Sequence, residues 1–258
     1  YERYDTTVTD PRTSETLSLG SIDIERAQMV WQPYDAFGIT AGRFFTPSGI
    51  WNLEHSPVVI VPRVLPYLMI RQTIPLAQTG VAVQGRFFPA KNTYLDYAVT
   101  LSNGRGPTEE VFDLDDEKAI GVRLKGWYEK DRFSISLGAY GFFGTMTDSV
   151  KQLVAEPEFG IEIETTEKYK EFAGAADFKL QLYGVVFQAE WAGGEVRYSK
   201  RPLKEIPFID MSIASDEYQP DFLRWDVYGL LAWTLPLSHV LKDKTITLFA
   251  LGEYSVMD

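Results

Sequence analysis

Apolar and polar residues alternate with a period of two along most of the chain, the signature of β-strands and not of helices. From 119 to 128, Ile120, Val122, Leu124 and Tyr128 share one face while Arg123, Lys125 and Trp127 share the other. From 132 to 143, Phe133, Ile135, Leu137, Ala139 and Phe143 oppose Ser134, Ser136 and Tyr140. Leu95, Tyr97, Val99 and Leu101 oppose Asp96, Thr100 and Ser102, and Phe178, Leu180 and Leu182 oppose Asp177, Lys179 and Gln181. The pattern recurs with Val185, Phe187, Ala189 and Trp191 against Gln188 and Glu190. It recurs again with Leu223, Trp225, Val227, Leu231 and Trp233 against Arg224, Asp226 and Tyr228.

One such strand would describe any half-buried antiparallel sheet. The polar face discriminates: it mixes charge with Gly and Ala, as a crowded polar interior does, and the apolar face carries Trp and Tyr toward the strand ends. The strands are about 10–13 residues long, against roughly 5–6 in soluble sheets and about 9–11 for a tilted membrane strand.

Connector lengths repeat the message. Short turns fall at 32–36, 89–92, 129–131, 183–184 and 236–244, and longer polar or irregular connections at 47–78, 104–116, 144–170 and 199–220. The two classes alternate strictly, as in outer-membrane barrels with tight periplasmic turns and long external loops. The expectation is an all-β fold: one antiparallel transmembrane β-barrel domain over 1–258, of 12 or more strands. Residues 67–74 also fit a strand, but counting them as a crossing would move the acidic loop after Asn103 to the periplasmic side. Residues 47–78 are therefore expected to form one external loop, folded into the barrel mouth because so apolar a segment is disfavoured in water. The same parity makes 1–10 the tail of a shortened strand and leaves the last segment ending outside, a barrel incomplete at both ends.

Composition narrows the alternatives. Hydrophobic residues are 45% and aromatics 14%, yet no apolar run approaches the roughly 18–20 residues of a membrane-spanning helix. The most apolar window, 56–70, is broken by Pro57, Pro62, Arg63 and Pro66. An inner-membrane helical bundle is excluded; a barrel, whose strands dilute their hydrophobicity by alternation, is not. The absence of cysteine removes disulfide frameworks and thiolate metal sites. A net charge of −11 argues against a nucleic-acid partner.

Several segments then become familiar. "FGITAGRFFTPSGIWN" at 37–52 resembles a segment of bacterial porins related to the phosphate-selective and other substrate-selective porins. "YAVTLSNGRG" at 97–106 and "DEKAIGVRLKGW" at 116–127 are similar to later strands of that group. "WDVYGLLAWTLP" followed by "FALGEYSVMD" looks like its late strand pair. The motifs are loose but span nearly the whole chain in order, without the family's closing strands and C-terminal aromatic. The resemblance implies a passive or weakly selective diffusion channel of a Gram-negative outer membrane, often trimeric, and leaves the solute open.

Candidate chemistry fits a channel better than an enzyme. The only histidines, His55 and His239, fall in a loop and a turn, and His55 lies beside Ser56 where the two cannot form a nucleophile–base pair. The acidic run Glu109, Glu110, Asp113, Asp115, Asp116, Glu117 lacks calcium-loop spacing. No catalytic residue, metal or cofactor is expected. Arg63 and Arg71 are the expected pore constriction. Arg86, Asp96, Arg123, Lys125, Trp127, Tyr140, Asp177, Lys179, Glu190, Arg224 and Asp226 are expected to line the lumen, with Trp127 and Tyr140 best placed to touch solute. Carboxylates, with Glu253 added, roughly match cations, which favours a charge-balanced wall. Arg43 shares a face with Phe37, Ile39 and Ala41, so either a bulge turns it inward or it snorkels to lipid headgroups. Expected partners are outer-membrane lipid, lipopolysaccharide and small hydrophilic solutes, with a homotrimer or an envelope-complex partner compatible. The rival reading is a plugged structural barrel serving as a scaffold.

Overall fold

The computed structural model describes residues 6–9, 16–19, 26–54, 73–104, 116–154, 161–198, 222–236 and 245–257. A short antiparallel pair, β1 (Thr6–Thr9) and β2 (Thr16–Leu19), forms its own two-stranded sheet. Ten strands follow as one antiparallel meander, each bonded to its neighbours in sequence: β3 (Ala27–Tyr34), β4 (Phe37–Phe45), β5 (Ala77–Ala90), β6 (Thr93–Ser102) and β7 (Ala119–Lys130), then β8 (Phe133–Val154), β9 (Ile161–Leu182), β10 (Val185–Tyr198), β11 (Phe222–Pro236) and β12 (Thr245–Met257). Among the described residues the one helical turn, α1 (Trp51–Glu54), lies between β4 and β5. Among the described residues β3 and β12 are the sheet edges, so the sheet is not closed.

Tight turns sit where the sequence places them, each with left-handed backbone. Asn92 (φ 64°) closes β5–β6, Asp131 (φ 54°) closes β7–β8, and Tyr183 (φ 46°) with Gly184 (φ 87°) closes β9–β10. Only Tyr183–Gly184 has the two successive positive-φ residues by which a type I′ hairpin matches the twist of its strands.

The connection expected at 144–170 is a correction. Gly144 to Val154 pairs residue for residue with Ile161 to Glu171, extending β8 and β9 to 22 residues each and leaving only 155–160 between them. The stretch is rich in Thr, Val and Ile and so favours strand, but polar residues on both faces erase the alternation that identified the other strands. Between β2 and β3, residues 20–25 are outside the described residues.

The sheet is curled. Thr73 donates to Asp226 on β11, and Thr73 is only four residues before Ala77, where β5 begins. Four residues reach at most about 14 Å. β5 and β11 are six strand spacings apart, about 29 Å across a flat sheet. Even with both side chains extended the contact needs a rolled sheet whose inner face carries the loop.

Burial is inverted relative to a soluble sheet. The inner face holds Arg123, Lys125, Glu171, Asp177, Glu190 and Asp226, each no more than 5% exposed. The outer face presents Leu124 at 53%, Leu137 at 65%, Leu231 at 51% and Trp233 at 49% exposure. On β8 the outer positions run Phe133, Ile135, Leu137, Ala139, Gly141, Phe143, and none is charged. The same holds among the described residues for Ile120 to Tyr128 on β7, Phe172 to Leu182 on β9, and Leu223 to Leu235 on β11. Ten residue steps are about 34 Å along the strand, or about 26 Å in height at a tilt of roughly 40°, against an apolar band about 25 Å tall on membrane barrels.

Candidate functional site

The inner face becomes a site because the chain leaving β4 turns over it. Asn52 Nδ2 bonds the carbonyls of Thr46 (2.7 Å) and Leu76 (3.0 Å), clasping the two ends of the excursion together. Thr46 N–H also donates to Leu76 O at 2.9 Å. Residues 46–54 and 73–76 then lie against β7, β9, β10 and β11 through three carboxylate stations.

The first station is Asp177. Arg123 Nη2 donates to its Oδ2 at 2.9 Å, and Lys125 Nζ lies 2.9 Å from Oδ1 as an ion pair without hydrogen-bond alignment. Arg123 Nη2 also reaches the Gly49 carbonyl at 3.2 Å. Period-two spacing puts Arg123 and Lys125 on one face of β7, and the carboxylate rests over Gly138, where a Cβ would collide with it. The second station is Glu190, whose Oε1 accepts from Trp51 N–H (2.9 Å) and the Tyr228 hydroxyl (2.5 Å). The Trp51 ring meets Tyr228 edge-on, centroids 6.0 Å apart. Gly49, at φ 64°, has no Cβ to clash with the Glu190 carboxylate. The third is Asp226, which accepts from Thr73 on the loop and from Ser255 on β12.

The sequence-derived candidates divide into two groups. Arg123, Lys125, Asp177, Glu190 and Asp226 are brought together beneath the loop. Arg224 pairs with buried Glu171 at 3.5 Å, and Tyr140 accepts from Gln78 at 3.0 Å on the same face. Lys179 is half-buried on that face. Arg86, Asp96 and Trp127 form a separate cluster nearer the turns. Arg86 bonds Asp96 through Nε (2.5 Å) and Nη2 (3.0 Å), and Trp127 Nε1 donates to Asp96 at 2.9 Å. Tyr94 stacks on Trp127 at 5.4 Å, with Arg86 over Tyr94 and Lys125 over Trp127, each at 4.3 Å. The Tyr94–Trp127 stack is thus capped by a cation at each end. Arg63, Arg71, His55 and His239 lie outside the described residues. Arg43 pairs in unbroken register with Thr79, so no bulge turns it inward.

Gly49, Trp51, Asn52, Thr73 and Glu171 are working residues to which sequence reasoning assigned no role. Only Thr46-Pro47-Ser48-Gly49 carried a local signal, that of a turn. Arg123 Nη1 and Ser136 Oγ are buried on this face without a hydrogen bond to protein. Among the described residues no three ligand-type side chains converge on a metal position, and no helix is long and apolar enough to cross a membrane, which does not bear on strands. Comparison with protein families, with curated proteins and with solved structures returned no match.

Proposed function

We propose that the chain forms a porin-like β-barrel of a Gram-negative outer membrane, passing small hydrophilic solutes or ions through a loop-narrowed lumen. The observation that carries this reading is the inversion of the sheet, with buried charge inside and, on β7, β8, β9 and β11, an outer apolar belt of membrane height without charge. A soluble sheet gains nothing from exposing Leu124, Leu137 and Trp233 while covering Arg123 and Asp177, whereas lipid outside and water inside favour both. The porin resemblance of 37–52 agrees, because that segment supplies the loop residues that meet the inner face. In this reading the loop-side wall is Arg123, Lys125, Asp177, Glu190, Arg224 and Asp226, and Arg63 and Arg71 belong to the constriction. The chain then has outer-membrane lipid and lipopolysaccharide as its surroundings and acts without catalysis.

A second reading, a plugged barrel serving as a scaffold, is favoured by one specific observation. Beneath the loop the interior charges are covered almost completely, with Asp226 1% and Asp177 2% exposed. Single-channel recording of the detergent-purified protein in a planar bilayer, under a salt gradient, separates the two. The channel reading expects stepwise openings with a weak ion preference, since cations and carboxylates nearly balance on the wall. A barrel that inserts and stays silent would replace the channel with the scaffold.

A further inference from the structure

We infer that the outer face carries a binding site for one lipid with an anionic phosphate headgroup, an inference that rests on the membrane reading above. A furrow of about 980 Å³ crosses β8, β9 and β10 between Ile120 and Val122 of β7 and Leu223 and Trp225 of β11, with Glu195 also in its lining. Its floor is Gly141, Gly174 and Gly193, which face one another directly across the three strands. Its walls are Phe143 and Phe172, 4.7 Å apart at their centroids, with Trp191 and Trp225 opposite.

The glycines differ in what they do. At Gly193 a Cβ would stand 2.8 Å from the Trp191 ring, so packing within the protein accounts for that residue. A Cβ on Gly141 would meet nothing within 4 Å. Glycine inside a strand is destabilising relative to alanine and often marks a place where something else approaches the backbone. Every other outer position of β8 from Phe133 to Phe143 carries a side chain, and the gap at Gly141 is filled by no part of the protein. In lipid an acyl chain has the right chemistry for such a gap.

The headgroup end follows from charge. Four residues beyond Gly174, about 13 Å along the strand, Lys170 stands directly opposite Arg197 across β9–β10. Like charges in direct cross-strand register repel. Glu195, 2.7 Å from Arg197, offsets part of this, and exposed Lys168 extends the cationic edge while pairing with Glu117 at 3.3 Å. In a chain of net charge −11, a cationic edge at the rim of an apolar furrow complements a lipid with a net-negative phosphate headgroup. The phosphate sits between Lys170 and Arg197, and one chain runs down over Gly141.

Native mass spectrometry of the whole protein in mixed micelles with equal phosphatidylglycerol and phosphatidylcholine tests this. One phosphatidylglycerol is expected to stay bound, preferred about tenfold, a factor two surface cations readily supply. Gly141→Leu fills the furrow and should cut retention of both lipids roughly tenfold. The exposed pair Lys170→Gln with Arg197→Gln should erase the preference while leaving phosphatidylcholine retention unchanged, and it serves if Gly141→Leu does not fold. Equal retention in the parent and both variants overturns the site while leaving the barrel intact. A dimer that disappears with Gly141→Leu overturns it in favour of a second copy. A protein that never enters micelles takes down the membrane reading itself.

Discussion

Asp177→Ala should destabilise the protein by about 3–5 kcal/mol, the usual cost of removing one partner from a buried ion cluster. Arg123 and Lys125 would then be left together beneath the loop, both with side chains no more than 6% exposed. Mutual repulsion adds to the loss of their shared counter-ion. Urea unfolding in detergent micelles or vesicles measures the change. Replacing the whole cluster with Asp177→Leu, Arg123→Met and Lys125→Met should come out near the parent, because desolvating three charges offsets most of their attraction. Asp96→Ala provides the contrast. It breaks the pair with Arg86, whose side chain is 44% exposed, and should cost about 1 kcal/mol or less from the pair itself, with the lost Trp127 bond added. If Asp177→Ala lies within about 1 kcal/mol of the parent, the cluster is hydrated and the loop does not seal it.

Leu137→Arg should cost about 2–4 kcal/mol in vesicles, and Phe143→Arg only about 0–1 kcal/mol. Both side chains face outward and both are exposed, at 65% and 43%. The difference lies in depth. Leu137 is near the middle of the charge-free run on β8, while Phe143 is the last apolar residue before Thr145 and can lift a guanidinium toward the headgroups. In water neither substitution would matter by more than about 0.5 kcal/mol, since exposed positions tolerate charge. Equal, small effects on vesicle stability would therefore remove lipid from the account of this face.

Much of the sheet was legible because alternation is a local signal. The inward set Arg123, Lys125, Asp177, Glu190 and Asp226 and the outward set Leu124, Leu137, Trp191 and Trp233 follow from spacing alone once a strand is recognised. Turns at Asn92, Asp131 and Gly184 follow from residue type. The extensions of β8 and β9 were not legible, since Thr, Glu and Lys on both faces offer no contrast between faces. The loop's partners were not legible either. Trp51 and Glu190 are 139 residues apart and Thr73 and Asp226 are 153 apart, so their meeting depends on how far the sheet curls. No local pattern encodes that curl. Gly49 shows the limit most clearly: its turn signal was readable, but the reason for glycine is a carboxylate on β10.

The central claim, lipid outside and polar interior within, is tested most directly by quenching tryptophan fluorescence with brominated phospholipids. The chain has six tryptophans, and single-tryptophan variants with phenylalanine at the other positions would isolate each one. Trp191 and Trp233, on the outer face at 44% and 49% exposure, should be quenched strongly in vesicles. Trp51, 2% exposed beneath the loop, and Trp127, stacked on Tyr94 on the inner face, should be spared. Quenching of Trp51 and Trp127 with sparing of Trp191 and Trp233, or no quenching of any, would contradict the account.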